Sequence, residues 1–435
     1  MVDHTHDASA RSWLASANVA GAGADFPIQN LPLAVFRRAG STQAWRGGVA
    51  IGDQVLDLAA LAATRRLAPP LQAVVDAAAR SELNALMALG QPAWRTLRHG
   101  LFELLAASSD AQEWLPACLV DMQRVEYTLP ARIGDYTDFY TSIHHARTIS
   151  GLLNIPLSPN FQWVPTAYHG RVSSIGVSGQ AFRRPNGQRL LPGRTEPQYG
   201  PCTRLDYELE LGIFVGPGNP LGERIAMSEV DAHVFGLCLL NDWSARDIQA
   251  WEMAPLGPFH AKNFATTISP WIVTMEALEP FRQAWTRPAG DPQPLAYLDG
   301  PDNRARGALD IRLEVQIETE RMRREHAPPQ AISRTSFVHH YWSVGQMVAH
   351  HAAGGCNLRP GDLLGSGTIS GPALDQAGAM MELALAGSRP VQLGSGETRS
   401  FLQDGDAVVF KGWCEREGFA RIGFGLAQGR VLPAL

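Results

Sequence analysis

The segment Asp206-Tyr207-Glu208-Leu209-Glu210-Leu211 alternates acidic and other residues. On a strand this period puts the carboxylates of Glu208 and Glu210 on one face, about 7 Å apart, with Tyr207, Leu209 and Leu211 on the other. Taken alone the hexapeptide is consistent with an ordinary half-exposed strand. Its continuation into Ile213-Phe214-Val215 instead suggests a strand entering a core, where unpaired carboxylates are costly unless they coordinate a cation.

Three further segments carry groups that do chemistry. Leu237 to Leu240 followed by Asn241-Asp242-Trp243-Ser244-Ala245-Arg246-Asp247-Ile248-Gln249 reads as an apolar strand running into a capped helix. That helix would align Asp242, Arg246, Gln249 and Met253 on one face, as a ligand-facing edge or as a plain surface ion pair. Asp135 to Arg147 crowds carboxylates, phenols and the pair His144-His145 into a few turns of chain, a composition suited to a pocket wall. Met380-Met381-Glu382-Leu383-Ala384-Leu385 reads as an apolar strand carrying one carboxylate, whose desolvation calls for a partner. A histidine there would make a base dyad. The pairs His339-His340 and His350-His351 read as structural. The glycine-rich pieces at Gly216 to Asn219 and Gly365 to Thr368 lack the lysine and context of a phosphate loop, and no G-x-S-x-G elbow is present.

The elements that position these groups follow from composition and pattern. The 435 residues comprise 45% hydrophobic and 18% charged residues, which excludes disordered and coiled-coil classes. With 37 basic against 42 acidic residues the net charge is −5, so nucleic acid and anionic membrane surfaces are not expected partners. Met1 to Arg11 has no apolar stretch of signal-peptide type, and a cytoplasmic protein is expected. Five scattered cysteines, Cys118, Cys202, Cys238, Cys356 and Cys414, are read as reduced thiols.

The Ala/Gly/Ser-rich residues 1–24 are expected to be flexible, with His4 and His6 solvated. Residues 25–128 read as a small domain: short strands around Leu33 to Phe36 and Val49 to Ile51 separated by glycine turns, then two helices divided near Ser81. Residues 129–435 read as a larger unit of many strands, including Tyr207 to Val215, Ile311 to Ile317 and Ala407 to Lys411, with helices near Ser244 to Trp251 and Ser343 to His350. Glu318 to Pro329 reads as an exposed hairpin or loop. The fold class is mainly β (α+β), a small β-barrel followed by a β-roll or sandwich.

These blocks together resemble the fumarylacetoacetase family, from Asp25-Phe26-Pro27-Ile28-Gln29-Asn30-Leu31-Pro32 to Val431-Leu432-Pro433-Ala434. The resemblance rests on Asp135-Tyr136-Thr137-Asp138-Phe139-Tyr140, Tyr168-His169-Gly170-Arg171, Glu208-Leu209-Glu210, Asn241 to Gln249, Pro255-Leu256-Gly257-Pro258-Phe259 and Asn357 to Leu364. It implies an SH3-like N-terminal domain, a homodimer, and a bound Ca²⁺ and/or Mg²⁺. It assigns Asp138, Glu208, Glu210 and Asp242 as metal ligands, with Lys262 and Thr266 at further metal-site positions. It makes His145 the general base, oriented by Glu382, and Arg246, Gln249 and Lys262 electrostatic stabilisers. Tyr140, Tyr168 and Thr368, with Arg246 and Gln249, match substrate contacts.

The implied activity is metal-dependent hydrolysis of the carbon–carbon bond of 4-fumarylacetoacetate to fumarate and acetoacetate, the last step of tyrosine and phenylalanine breakdown. An all-oxygen ligand set favours a hard cation over zinc. Asn154 and Met253 depart from residue types usual at substrate-contact positions, and Arg147 is the local candidate to replace a missing arginine. Competing readings are a hydrolase of other acylpyruvates, a decarboxylase or isomerase acting on a keto acid, and a non-catalytic metal-stabilised binding protein.

Overall fold

A computed structural model describes residues 2–21 and 24–435. The N-terminal region is built on a five-stranded antiparallel sheet in the order Leu119–Asp121, Gln54–Asp57, Arg46–Ile51, Leu33–Arg38, Val125–Thr128. Helices Leu58–Ala63, Pro69–Ala78 and Gln91–Leu105 cover one face. Asp57 starts the first of them by accepting the N–H groups of Ala59 and Ala60, each at 3.0 Å. Gly47 and Gly48, expected in a turn, lie inside the strand Arg46–Ile51. A Cβ on Gly47 would stand 1.8 Å from the carbonyl oxygen of Ala78, so a bare backbone is what lets the helix close on the sheet.

The expectation of a flexible terminus is corrected over residues 2–21; Met1, Ala22 and Gly23 lie outside the described residues. Asp3 caps the turn His4–His6, and Thr5 and His6 are buried. The Arg98 guanidinium, on helix Gln91–Leu105, donates to Thr5 Oγ1 at 2.9 Å, Asn30 O at 3.0 Å and Gln29 O at 2.6 Å. Small-residue composition suggested disorder, but one buried arginine collecting backbone carbonyls ties the segment down.

The rest of the chain forms two main sheets. One runs Ala167–His169, Tyr136–Phe139, Leu363–Gly365, Leu209–Val215, Val234–Asp242, Thr266–Ile268, Ile175–Val177, with Val273–Thr274 also pairing with Val234–Asp242. The other runs Gln330–Ser336, Arg312–Glu318, Ala407–Cys414, Ile422–Leu432, Gln180–Arg183. Leu209, Leu211 and Ile213 of the first sheet and Val315, Phe410 and Phe424 of the second fill a common core. The opposite face of the first sheet supplies Phe214, Phe235, Cys238 and Leu240 to the core that holds the N-terminal helices. The architecture is mainly β with few helices, as the strand-length apolar runs indicate. The segment after Glu318 holds a one-turn helix, Glu320–Arg324, between paired strands.

Two further readings change. Met380–Leu383 is a short helix, not a strand. Its first N–H groups, on Met380 and Met381, donate to the Asp206 carboxylate at 2.8 and 3.1 Å, a cap supplied from a distant segment. Asp242 ends the strand Val234–Asp242 and so does not share a helix face with Arg246; the helix is Arg246–Glu252, and Met253 stands exposed just past it.

Candidate metal and catalytic site

The site forms where several strand ends of the first sheet meet. Leu363–Gly365 runs between Tyr136–Phe139 and Leu209–Val215, so Gly365 lies opposite Asp138 on one side, and Gly212, two residues from Glu210, lies opposite it on the other. Leu209 pairs with Asn241, which brings Asp242 alongside Glu208. One carboxylate oxygen from each of Asp138, Glu208, Glu210 and Asp242 lies within 4.8 Å of the others, and all four residues are buried. Three distant segments therefore converge on one point, as the sheet register requires.

The four carboxylates are not equivalent. Lys262 Nζ donates to Asp242 Oδ2 at 2.7 Å and to Glu208 Oε2. Arg246 Nη1 donates to Glu208 Oε1 at 2.7 Å, and its Nε to Asp206 Oδ2 at 2.9 Å. Burial pushes Glu208 up, but Lys262 and Arg246 outweigh it and hold its carboxyl well below the usual range. Burial would lower Lys262, yet Asp242 and Glu208 keep it firmly charged.

Asp138 and Glu210 have no such cations. Burial, then the neighbouring Asp242, drives Asp138 well above the usual carboxylate range; burial and Asp138 do the same to Glu210. Asp138 Oδ1 and Glu210 Oε1 are buried without a hydrogen-bond partner. A Cβ on Gly365 would lie 2.5 Å from Asp138 Oδ1 and 2.9 Å from Glu210 Oε2, so the chain is bare where these oxygens crowd together. Unpartnered oxygens, excess negative charge and an all-oxygen donor set fit a hard divalent cation.

Beside the cluster, Ser142 caps helix Ile143–Leu153, setting His145 in its first turn. His145 Nδ1 is 2.8 Å from Glu382 Oε2, which also accepts from Ser370 Oγ at 2.9 Å. The other ring nitrogen, Nε2, lies 4.0 Å from Glu208 Oε1, facing the cluster. The Tyr140 ring packs edge-on against His145 with centroids 5.4 Å apart. Tyr168 donates to Asp242 Oδ2 at 2.7 Å, and Thr266 Oγ1 to Asp242 Oδ1 at 3.4 Å. Gln249 Oε1 accepts from Arg246 at 3.3 Å. Thr368 is buried, next to Gly367, whose N–H donates to Glu210 at 3.0 Å. Lys262 meets the Glu208 and Asp242 carboxylates as an ammonium donor, and an ammonium has no lone pair with which to ligate a metal.

Sequence reasoning missed Asp206, Ser370 and Gly365. Asp206 begins the same acidic alternation that marks Glu208 and Glu210, and that signal was sufficient to include it. Ser370 and Gly365 carry no local signal; only the fold brings them to the site.

Fold and site define a mainly β protein with a buried acidic cluster able to hold a divalent cation beside a histidine–carboxylate pair. The fumarylacetoacetate (FAA) hydrolase C-terminal family matches residues 136–431, and the fumarylacetoacetase N-terminal family matches residues 29–130. Fumarylacetoacetase of Caenorhabditis elegans is 48% identical, covering 94% of this chain and 97% of its own. The Bos taurus fumarylacetoacetase is 47% identical with the same coverage. A solved fumarylacetoacetate hydrolase from psychrophilic Exiguobacterium antarcticum aligns at 15% identity and TM-score 0.49, covering 93% of this chain and 99% of that one. The chain belongs to the fumarylacetoacetase family.

Proposed function

We propose that this chain hydrolyses the carbon–carbon bond of 4-fumarylacetoacetate, giving fumarate and acetoacetate at the end of tyrosine and phenylalanine breakdown. Family membership supports the substrate. The observation that carries the chemistry is His145, held at Nδ1 by Glu382 with Nε2 turned toward the acidic cluster. The same reading takes Ca²⁺ or Mg²⁺ as the ion, a homodimer as the assembly and the cytoplasm as the location. Residues 25–128 then form a supporting domain for a catalytic unit spanning 129–435.

Cleaving a carbon–carbon bond requires a stabilised carbanion as leaving group. Asp138, Glu208, Glu210 and Asp242 would hold a divalent cation, which when bound would supply Lewis-acid polarisation to the substrate. Glu382 fixes the Nδ1–H tautomer, so Nε2 of His145 is free to take a proton from water as its oxygen bonds to the carbonyl carbon beside the fumaryl double bond. The pair of electrons of the broken bond passes to the acetoacetate carbon as an enolate, which recovers the proton from the imidazolium. Arg246 Nη2 is buried without a partner, a donor left over for a substrate oxygen. Lys262 and Arg246 keep Glu208 ionised throughout.

The test is to follow the diketone absorbance of fumarylacetoacetate. Wild-type protein consumes it in the presence of Ca²⁺ or Mg²⁺ and stops on chelation. His145→Ala lowers turnover at least about 10²-fold, the scale of a lost general base, while still binding the cation. Near-normal turnover in that variant, or full activity after thorough stripping, sinks the reading.

A further inference from the structure

The N-terminal histidines, expected to be solvated, divide on folding. His6 is buried, its Nδ1 accepting the Asp3 N–H at 3.0 Å and its Nε2 donating to Glu276 O at 2.7 Å. His4 remains exposed, its ring edge-on to that of His99, with centroids 4.7 Å apart. His99 Nε2 is 2.8 Å from Asp3 Oδ2. One ring nitrogen each from His4 and His99 and one carboxylate oxygen of Asp3 lie within 4.8 Å of one another.

From this convergence we infer a second metal site, formed by Asp3, His4 and His99, for a borderline transition ion of the zinc class. Two imidazole nitrogens and one carboxylate oxygen are the donor set such ions select, whereas Ca²⁺ and Mg²⁺ favour the all-oxygen cluster. Metal–ligand bonds of about 2.0–2.2 Å place such donors roughly 3 to 4 Å apart; His99 Nε2 and Asp3 Oδ2 stand 2.8 Å apart and all three donor atoms lie within 4.8 Å of one another, so small side-chain shifts complete the set.

The ligands are held from both sides. Asp3 Oδ1 accepts from the N–H and hydroxyl of Thr5 at 2.9 and 2.7 Å, which leaves Oδ2 turned to His99. Those donors, with His99, keep Asp3 anionic against the effect of its partial burial. Thr5 is fastened to helix Gln91–Leu105 by Arg98, and the same helix carries His99. The segment and the helix are therefore registered before any ion arrives, and only the exposed His4 ring has to turn. Three protein ligands leave an open coordination position, and the bound ion would act as a clip between residues 3–4 and the helix.

The donor chemistry makes the two sites separable. Full-length protein is saturated with Mg²⁺ to occupy the acidic cluster, then titrated with Zn²⁺ by calorimetry and by thermal unfolding. We expect one equivalent of Zn²⁺ to bind and to raise Tm. His4→Phe keeps a ring to pack edge-on against His99 and Phe102 while removing the donor, and His99→Gln keeps a donor for Asp3; each should weaken Zn²⁺ binding at least tenfold and abolish the Tm rise, with fumarylacetoacetate turnover unchanged. No Zn²⁺ uptake by the Mg²⁺-saturated protein overturns the site. So does uptake that both variants retain at wild-type affinity.

Discussion

Two buried acidic sites in this protein have opposite economies of charge. Asp406 is fully enclosed, and Arg399 meets it through both Nε and Nη2 at 2.7 and 2.9 Å while Gln403 N–H adds a third donor at 2.8 Å. Asp138 and Glu210 are equally enclosed, yet each leaves an oxygen without a partner and each is pushed toward its protonated form. Asp406 is met by its own arginine, whereas Asp138 and Glu210 are left short of donors, the condition under which a buried carboxylate can accept a cation. The contrast marks Asp138 and Glu210 within the cluster, since Glu208 and Asp242 carry cationic partners of their own.

The strongest break of this comparison comes from the scaffold side. Arg399→Met strands Asp406 as an uncompensated buried charge and should cost about 3–5 kcal/mol in denaturant unfolding, with cation affinity unchanged in the protein that folds. Glu210→Gln should do the reverse. Calorimetric affinity for Ca²⁺ or Mg²⁺ should fall by about two orders of magnitude, roughly 2.7 kcal/mol, while the cation-free protein loses no stability, since Glu210 is already driven toward its neutral form and the amide matches it in shape. A loss of stability in Glu210→Gln as large as in Arg399→Met would erase the distinction.

His340 sharpens the comparison as a third solution, an ionisable group buried neutral. It stacks on Phe337 and bonds to that residue's backbone oxygen, and burial lowers its pKa from 6.5 to about 4. Between those values the unfolded chain binds a proton that the folded one refuses. Its contribution is complete above pH 6.5 and is lost as pH falls toward 4, by about 2 kcal/mol at pH 5. His340→Gln should flatten that part of the stability profile, read from urea midpoints at pH 7.5 and 5. The smallest effect belongs to Gly365→Ala, whose methyl presses on Asp138 and Glu210 and should weaken the cation about tenfold, near 1.4 kcal/mol. Unaltered affinity there would mean that the bare backbone has no part in the site.

What could be read without coordinates was local. The alternation points to Glu208 and Glu210 as neighbours, although the strand begins only at Leu209, and the apolar run before Asp242 gives a strand, although Asp242 ends it instead of joining the helix face, because side-chain period and strand length are properties of short windows. The convergence of Asp138 and Glu382 on them depends on which strands neighbour which, and that is set by long-range register. The apolar run Met380 to Leu385 predicts a strand for Glu382; the deciding group, Asp206, lies some 175 positions away and caps the helix that forms instead. The N-terminal segment failed for a related reason. Its small residues are common in disordered tails, and the contact that orders it, Thr5 with Arg98, spans 93 positions.

The short strand Leu363–Gly365 has a wider consequence. It joins Tyr136–Phe139 in parallel on one flank and Leu209–Val215 in antiparallel on the other. The gap between the Asp138 and Glu210 carboxylates is thus gauged by interstrand spacing, which main-chain hydrogen bonding holds nearly invariant. Such a caliper yields far less than a loop does, so the separation of these two carboxylates is a property of the sheet itself.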